Sequence, residues 1–296
     1  MKSEWNWRFV RGVLNETAAH WFKRGAMSQS ASLAFFTLVS LAPLLVLVVS
    51  VAGSAFGRVA VRHELVGQFQ RLMGKEQAVA VEKILKTASQ SGGRGLAGVV
   101  GIGTLIFGAT AVFAQLQSSL NRMWDVQPKP GSGILGLLKK RLLSLALIVG
   151  LGFLLLVSLA FSAAMNASQE YFRARLPLPA LLLDVAGTVF SFLIFTLLFA
   201  AVFRILPDIE IPWRDVWVGA LATSFLFSIG KWAIGLYLGR TALGSAYGAA
   251  ASAIVLLFWV YYASMLVLLG AAFTRVHSRH RRELESPGGE RARSRA

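Results

Sequence analysis

The chain has 296 residues, of which 55% are hydrophobic and only 15% charged. That is too little charge to coat a soluble domain of this size, and the apolar residues fall in long blocks, so the expected solvent is a lipid bilayer. A net charge of +16 would suit a nucleic-acid binder, but the cations sit between apolar blocks, as they do in membrane proteins; the absence of cysteine excludes disulfides, thiol catalysis and iron–sulfur clusters.

Residues 1–30 mix Trp5, Trp7, Phe9, Trp21 and Phe22 with Lys2, Arg8, Arg11, Lys23 and Arg24, and Val10, Leu14, Thr17 and Trp21 share one helical face. This predicts an amphipathic segment that lies in the membrane interface or packs on the protein itself. The first span is expected at 31–56, with Pro43 inside it to free a carbonyl and kink the helix. Residues 57–94 read as a helical hairpin outside the bilayer. Val61, Leu65, Phe69 and Leu72 recur at helical spacing, then Val81, Ile84, Leu85 and Ala88, with Gly74 between the two runs.

The second span, 95–118, is rich in glycine, which favours close helix packing. No Walker-type lysine follows the glycines and no strand pattern precedes them. A polar stretch with Asn121, Arg122 and Trp124 leads to Lys139, Lys140 and Arg141 and a third span at 142–165. The fourth span is expected at 180–203, the fifth at 214–238 and the sixth at 249–274. Pro207 and Pro212 punctuate the loop between the fourth and fifth. The domain of six spans covers 31–275. Residues 276–296 read as a basic, disordered cytoplasmic tail. Six spans put both termini on one side, and that side carries nineteen Lys and Arg against ten opposite, which predicts cytoplasmic ends.

The acids are few, and Asp184 alone lies inside an apolar block. No carboxylate pair is available for acid–base work or for a metal pair. The four histidines, His20, His63, His277 and His280, are spread out. No catalytic, cofactor or metal site is expected, and the reading is of a protein that is not an enzyme. The candidate polar site within the membrane is Asp184 with Lys231, at compatible depths near the outer surface. It is either an outward-opening site whose Lys231 attracts an anionic head group, or two side chains that snorkel to the interface. Gly235 and Gly239 form a GxxxG, a signal for close helix contact.

Several runs resemble one family. They are Pro212-Trp-Arg-Asp-Val-Trp-Val-Gly-Ala220, Gly230-Lys231, Gly235-Leu-Tyr-Leu-Gly239, Ser245-Ala-Tyr-Gly-Ala-Ala250, Phe258-Trp-Val-Tyr-Tyr262 and Leu269-Gly-Ala-Ala-Phe-Thr-Arg275. Ala34-Phe-Phe-Thr-Leu-Val-Ser-Leu-Ala-Pro43 and Leu120-Asn-Arg-Met-Trp124 fit as well. Together they resemble the YihY/virulence factor BrkB family, formerly mislabelled ribonuclease BN. The resemblance implies a six-helix protein of the bacterial inner membrane. It marks Pro43, Trp124, Arg214, Asp215, Gly235, Gly239, Tyr247 and Gly248 as structural motif residues. Two positions depart from the family's pattern: Ala272 stands where a glutamate is usual, and Met265 where a glutamine is frequent.

Links of some relatives to envelope integrity, serum resistance or lipopolysaccharide export imply lipid-related transport. The expected function is to transport or flip an amphipathic anionic lipid or lipopolysaccharide precursor. The alternative is a non-transporting scaffold or regulator of envelope integrity. The missing acidic cluster argues against a nuclease. The expected partners are membrane lipids and a second copy of the chain, with no specific nucleic acid and no cofactor.

Overall fold

In the computed structural model the described residues are 7–73, 75–90, 111–126, 180–240 and 251–285. Their regular structure is all α-helical. It comprises α1 (Trp7–Lys23), α2 (Ala26–Phe56), α3 (Arg58–Met73), α4 (Lys75–Gln90), α5 (helical over 111–123), α6 (Ala180–Ile205), α7 (Trp213–Arg240) and α8 (Ala251–Glu285). Among the described residues, Gly187–Ile205 and Ala253–Glu283 are long and apolar enough to cross a membrane. A third span arises if Arg11–Lys23 and Ala26–Ala42, bent by 61°, count as one. The expected span at 142–165, most of that at 95–118, and Tyr247 and Gly248 lie outside the described residues.

The bend is made by Gly25, whose φ of 64° is left-handed. It separates a charged arm from an apolar rod. α1 carries Arg11, Glu16, His20 and Lys23, and over residues 11–23 it buries Val13, Thr17 and Trp21. It packs on α8 and leaves Leu14 and Phe22 exposed. α2 begins at Ala26, five residues before the expected span, and stays helical through Pro43. Gly57, with φ 87°, closes α2 by donating its N–H to the Gly53 carbonyl at 3.0 Å. The chain then turns into the α3–α4 hairpin, α3 ending at Met73 and α4 starting at Lys75, where the periodicity predicts the division. The hairpin buries Val61, Leu65, Val81 and Leu85 and packs on α2 and α8.

α8 is the hub, touching α1, α2, α4 and α7. Its pairing with α7 rests on glycine. A Cβ on Gly219 would sit 1.7 Å from Thr274 Oγ1, and one on Gly270 would sit 1.8 Å from Thr223 Oγ1. Each threonine hydroxyl donates to the carbonyl four residues earlier in its own helix, Thr223 to Gly219 and Thr274 to Gly270, both at 2.7 Å. Each helix therefore offers a glycine to the other's threonine, and the hydroxyls are satisfied without crossing the interface. Two turns further on, Gly230 receives the Tyr262 phenol, whose oxygen lies 1.8 Å from where a Cβ would be. An aromatic seam adds α6: Phe227 stands 4.9 Å from Phe195, 5.7 Å from Phe199 and 6.1 Å from Trp259, ring centre to ring centre.

α8 does not stop at the expected end of the sixth span. It runs on to Glu285, so the expectation of a disordered tail from residue 276 is corrected as far as that residue. The reason is that Val276 and Ser278 are buried and the arginines around them, Arg275, Arg279 and Arg281, find acids on other segments.

Gly219→Ala is expected to lower the melting temperature of the detergent-solubilised protein, by the equivalent of about 1–3 kcal/mol for overpacking. Adding Thr274→Ala should recover most of that loss. Gly187→Ala, which meets nothing within 4 Å, should not destabilise, because a helix gains from alanine where space is open. Scanning fluorimetry of the three variants checks this.

Candidate functional site

Four segments expected on one side of the membrane meet at one end of the bundle: the end of α1, the end of α5, the 206–212 loop with the start of α7, and the last turns of α8. The join to α5 starts from a backbone feature. Asp125 has φ 55°, the only positive φ on a non-glycine among the described residues. It occupies the left-handed position that ends α5, with Val126 N–H donating to the Asn121 carbonyl at 2.9 Å. Glycine is usual there. Aspartate is tolerated in that conformation, and here its carboxylate accepts from Arg24 on one oxygen and from Arg275 on the other.

His20 sits in the same group. Its Nε2 lies 2.9 Å from the Met123 carbonyl, so that nitrogen donates. Nδ1 is then bare and accepts from Arg275 Nη1 at 2.9 Å. Burial pushes the His20 pKa below its ordinary 6.5. The guanidiniums of Arg275 and Arg24 add to that, against the Met123 carbonyl and Asp125, which favour the charged form.

Two further ties close the end. Glu16 receives Arg279, with His280 Nε2 at 3.5 Å, and Arg279 Nε also reaches Glu283 at 3.4 Å. Asp215, in the first turn of α7 and 1% exposed, accepts from Arg281 Nη2 at 3.1 Å. The positive end of α7 and Arg281 together offset its buried charge. Asp215 Oδ1, Ser278 Oγ and Arg281 Nε are buried there without a partner. The 206–212 loop is pinned to α5 by a reciprocal pair: Asn121 Nδ2 donates to Asp208 Oδ2, and Asp208 N–H donates back to Asn121 Oδ1, both at 2.8 Å. Gln117 Nε2 donates to Asp208 Oδ1 at 3.1 Å. Arg204 lies 5.7 Å over the exposed Trp213 ring and donates to the Ile211 carbonyl.

The sequence-derived candidates fall as follows. Lys231 is half-buried on α7, with no hydrogen bond or ion pair among the described residues. Asp184 lies in the second turn of α6, and its side chain is outside the description, as is that of Pro43. Because Phe227 packs on Phe195 and Phe199, Lys231 is level with the α6 turn before Phe195. Asp184 lies about two turns further toward the start of α6. Trp124 and Asp215 are buried, and Arg214 is exposed at the start of α7. Gly235 and Gly239 lie in the last turns of α7. Ala272 is fully buried and Met265 half-buried. Sequence reasoning missed the group made by Glu16, His20, Asp125, Asp208 and the α8 arginines: the two aspartates read as loop residues, the arginines as a tail and His20 as a dispersed histidine, and Glu16 carried no signal. No group of three or more potential metal ligands occurs among the described residues.

The profile of a family described as Virulence factor BrkB matches residues 18–295. The chain is similar to a protein of Verminephrobacter eiseniae, 31% identical over 254 residues, 83% of this chain and 57% of the relative. It is also similar to one of Chromobacterium violaceum, 30% identical over 257 residues, with the same shares covered. Both are named "UPF0761 membrane protein". The chain thus spans 57% of the length of these curated relatives. No solved structure matches.

Two outcomes test the ionic end. Arg281→Gln leaves Asp215 buried without its counter-charge and is expected to cost about 3 kcal/mol, while Asp215→Asn with Arg281→Gln recovers most of it. A chemical-denaturation or thermal series on the three proteins decides this. The second is pH dependence. The folded His20 pKa lies below the unfolded value of 6.5, so the unfolded chain binds more protons and stability falls as pH drops below about 6.5. Melting temperature is expected to decline from pH 7.5 to 5.5 in the parent and less steeply in His20→Gln.

Proposed function

This chain belongs to the virulence factor BrkB family of membrane proteins, and from that premise we propose that it moves an amphipathic, anionic envelope lipid across the bacterial inner membrane. It does so without enzymatic chemistry. The observation that carries the reading is Lys231, a half-buried cation on an otherwise apolar stretch of α7 with no partner among the described residues. An ammonium in such a place is costly unless an anion or water meets it. Lys231 follows Trp213 by about 27 Å along the helix, close to the roughly 30 Å of a hydrocarbon core. With Trp213 and Trp217 at one boundary, Lys231 stands near the other. Between them α7 presents Leu221, Phe225 and Ile229, all exposed at four-residue spacing. α6 presents Val185, Val189, Leu193 and Leu197 in the same way. A lipid's chains have an apolar stripe to lie on, and its head group has a cation near the far boundary. On this reading the basic end that gathers α1 and the last turns of α8 faces the cytoplasm, in keeping with the excess of Lys and Arg expected on that side.

The test is the full chain reconstituted in liposomes with fluorescently labelled phosphatidylglycerol. Wild type is expected to exchange the probe between leaflets. Lys231→Gln should be about tenfold slower, which is the loss of one charge-assisted contact of about 1.5 kcal/mol, at an unchanged melting temperature. A wild type that leaves the probe in place, or a variant as fast as wild type, rejects the reading. Inactivity together with a stoichiometric protein partner would support a scaffold instead.

A further inference from the structure

At the end of the bundle one carboxylate serves two guanidiniums. Arg24 and Arg275 both bind Asp125, which leaves a surplus positive charge in the group. The surplus is matched by a surplus of donors. Arg24 Nε, Trp21 Nε1 and Trp124 Nε1 are buried and have no partner. Both indoles are 7% exposed. Trp21 adjoins His20 in sequence, and Trp124 lies between Met123 and Asp125, so both rings belong to the residues that tie α1 to α5. Indole and guanidinium N–H groups can only donate, and a buried orphan donor is costly. Gln29 Oε1, Ser30 Oγ and Ser119 Oγ are also buried without partners, all of them neutral, and the Gln29 amide nitrogen donates to the Arg24 carbonyl at 2.7 Å. What the group lacks is an acceptor with negative charge.

The surface beside it is apolar. Leu14 and Phe22 on α1 are 54% and 64% exposed, and Met27 and Phe35 in the first turns of α2 are exposed as well. Lys23 and Arg122 are exposed next to the group. Free phosphate has no use for such a surface, whereas a phospholipid covers it with its chains.

We propose that the junction of α1, α5 and α8 around Arg24, Asp125 and Arg275 binds the phosphate of an anionic phospholipid, with its acyl chains on Leu14 and Phe22. Trp21 and Trp124 donate to the phosphate from the protein side, and Arg24 supplies the charge. The site rests on the lipid-handling reading above and deepens it by naming a head-group position at the end opposite Lys231.

The experiment uses the full chain in neutral detergent micelles. Native mass spectrometry reads retention of phosphatidylglycerol against phosphatidylcholine, with inorganic phosphate and glycerol phosphate in parallel arms. Phosphatidylglycerol is expected to be retained preferentially. Trp21→Phe with Trp124→Phe keeps both rings and removes both donors. That variant should bind phosphatidylglycerol about a hundredfold more weakly, two hydrogen bonds to a charged acceptor being lost. Its phosphatidylcholine binding should not change. Trp213→Phe, at an exposed indole elsewhere, should bind as wild type, and each single variant of the pair gives an intermediate loss if the double variant folds poorly. Equal retention of phosphatidylglycerol by the pair variant and wild type overturns the site. So does inorganic phosphate or glycerol phosphate displacing the lipid at equal concentration, since the chains would then contribute nothing. Binding is read without transport: a wild type that binds but moves no lipid overturns the transport reading alone, and one that moves lipid with no head-group preference overturns this site alone.

Discussion

Close approach of α7 and α8 is the constraint from which the rest of the described bundle follows. In lipid, apolar side chains gain nothing by leaving one another for the bilayer, so helices must be held by packing and polar contacts. Here the packing is reciprocal. Gly219 takes Thr274 and Gly270 takes Thr223, and each hydroxyl is already satisfied by its own helix. The arrangement permits one antiparallel register, since a shift of one residue puts a Cβ where the glycine was. That register sets Asp215 across from Ser278 and within reach of Arg281. It also carries the last turns of α8 past the apolar zone, where Arg275 and Arg279 meet α5 and α1.

The ionic end is therefore less a set of surface salt bridges than a lock on four chain segments. Exposed ion pairs contribute little on average, because solvent screens them and side-chain entropy opposes them. Asp215 is different: it is 1% exposed, and Arg281 is three-quarters covered. Asp208 is held from Asn121 and Gln117, residues about ninety positions away in sequence. The αL position of Asp125 turns a helix terminus into a two-armed acceptor. These contacts explain why residues 276–285 are helical. The segment would be disordered if its arginines were merely solvated, but Arg279 and Arg281 are anchored to α1 and α7, and Arg275 just before it to the end of α5.

The helical class, the hairpin over 57–94 and the end of α6 near residue 205 were legible from hydropathy blocks and apolar spacing, because those signals are local. The interlock is written in the sequence as Gly219-x-x-x-Thr223 and Gly270-x-x-x-Thr274, but the recognised signal for close helix contact is Gly235-x-x-x-Gly239. Threonine's small size and self-satisfied hydroxyl let it serve where a second glycine was sought. The ionic end was not legible. Asp125, Asp208 and Asp215 sit beside prolines, tryptophans and arginines that read as loop, and nothing local says that Asp125 will face a residue 150 positions later. His20 looked isolated for the same reason. The count of six spans put the four segments on one side, and their described parts meet at one end of the bundle.

The basic balance of the chain takes on a direction once the acids are accounted for. Glu16, Asp125, Asp208 and Asp215 are all engaged inside the end of the bundle. Arg11, Lys23, Arg122, Arg214 and Arg282 stay exposed, none of them ion-paired among the described residues. They alternate with exposed Phe22, Trp213 and Trp217. A nucleic-acid surface has no need of large apolar side chains facing outward beside helices this hydrophobic. A membrane boundary needs both, cations for phosphates and aromatic rings for the head-group zone. Lys231 lies about a hydrocarbon thickness away along α7. On the proposed reading, a lipid meets a cation at either boundary and an exposed apolar stripe between them, so the head group is stabilised at the two ends of its path and the acyl chains along it.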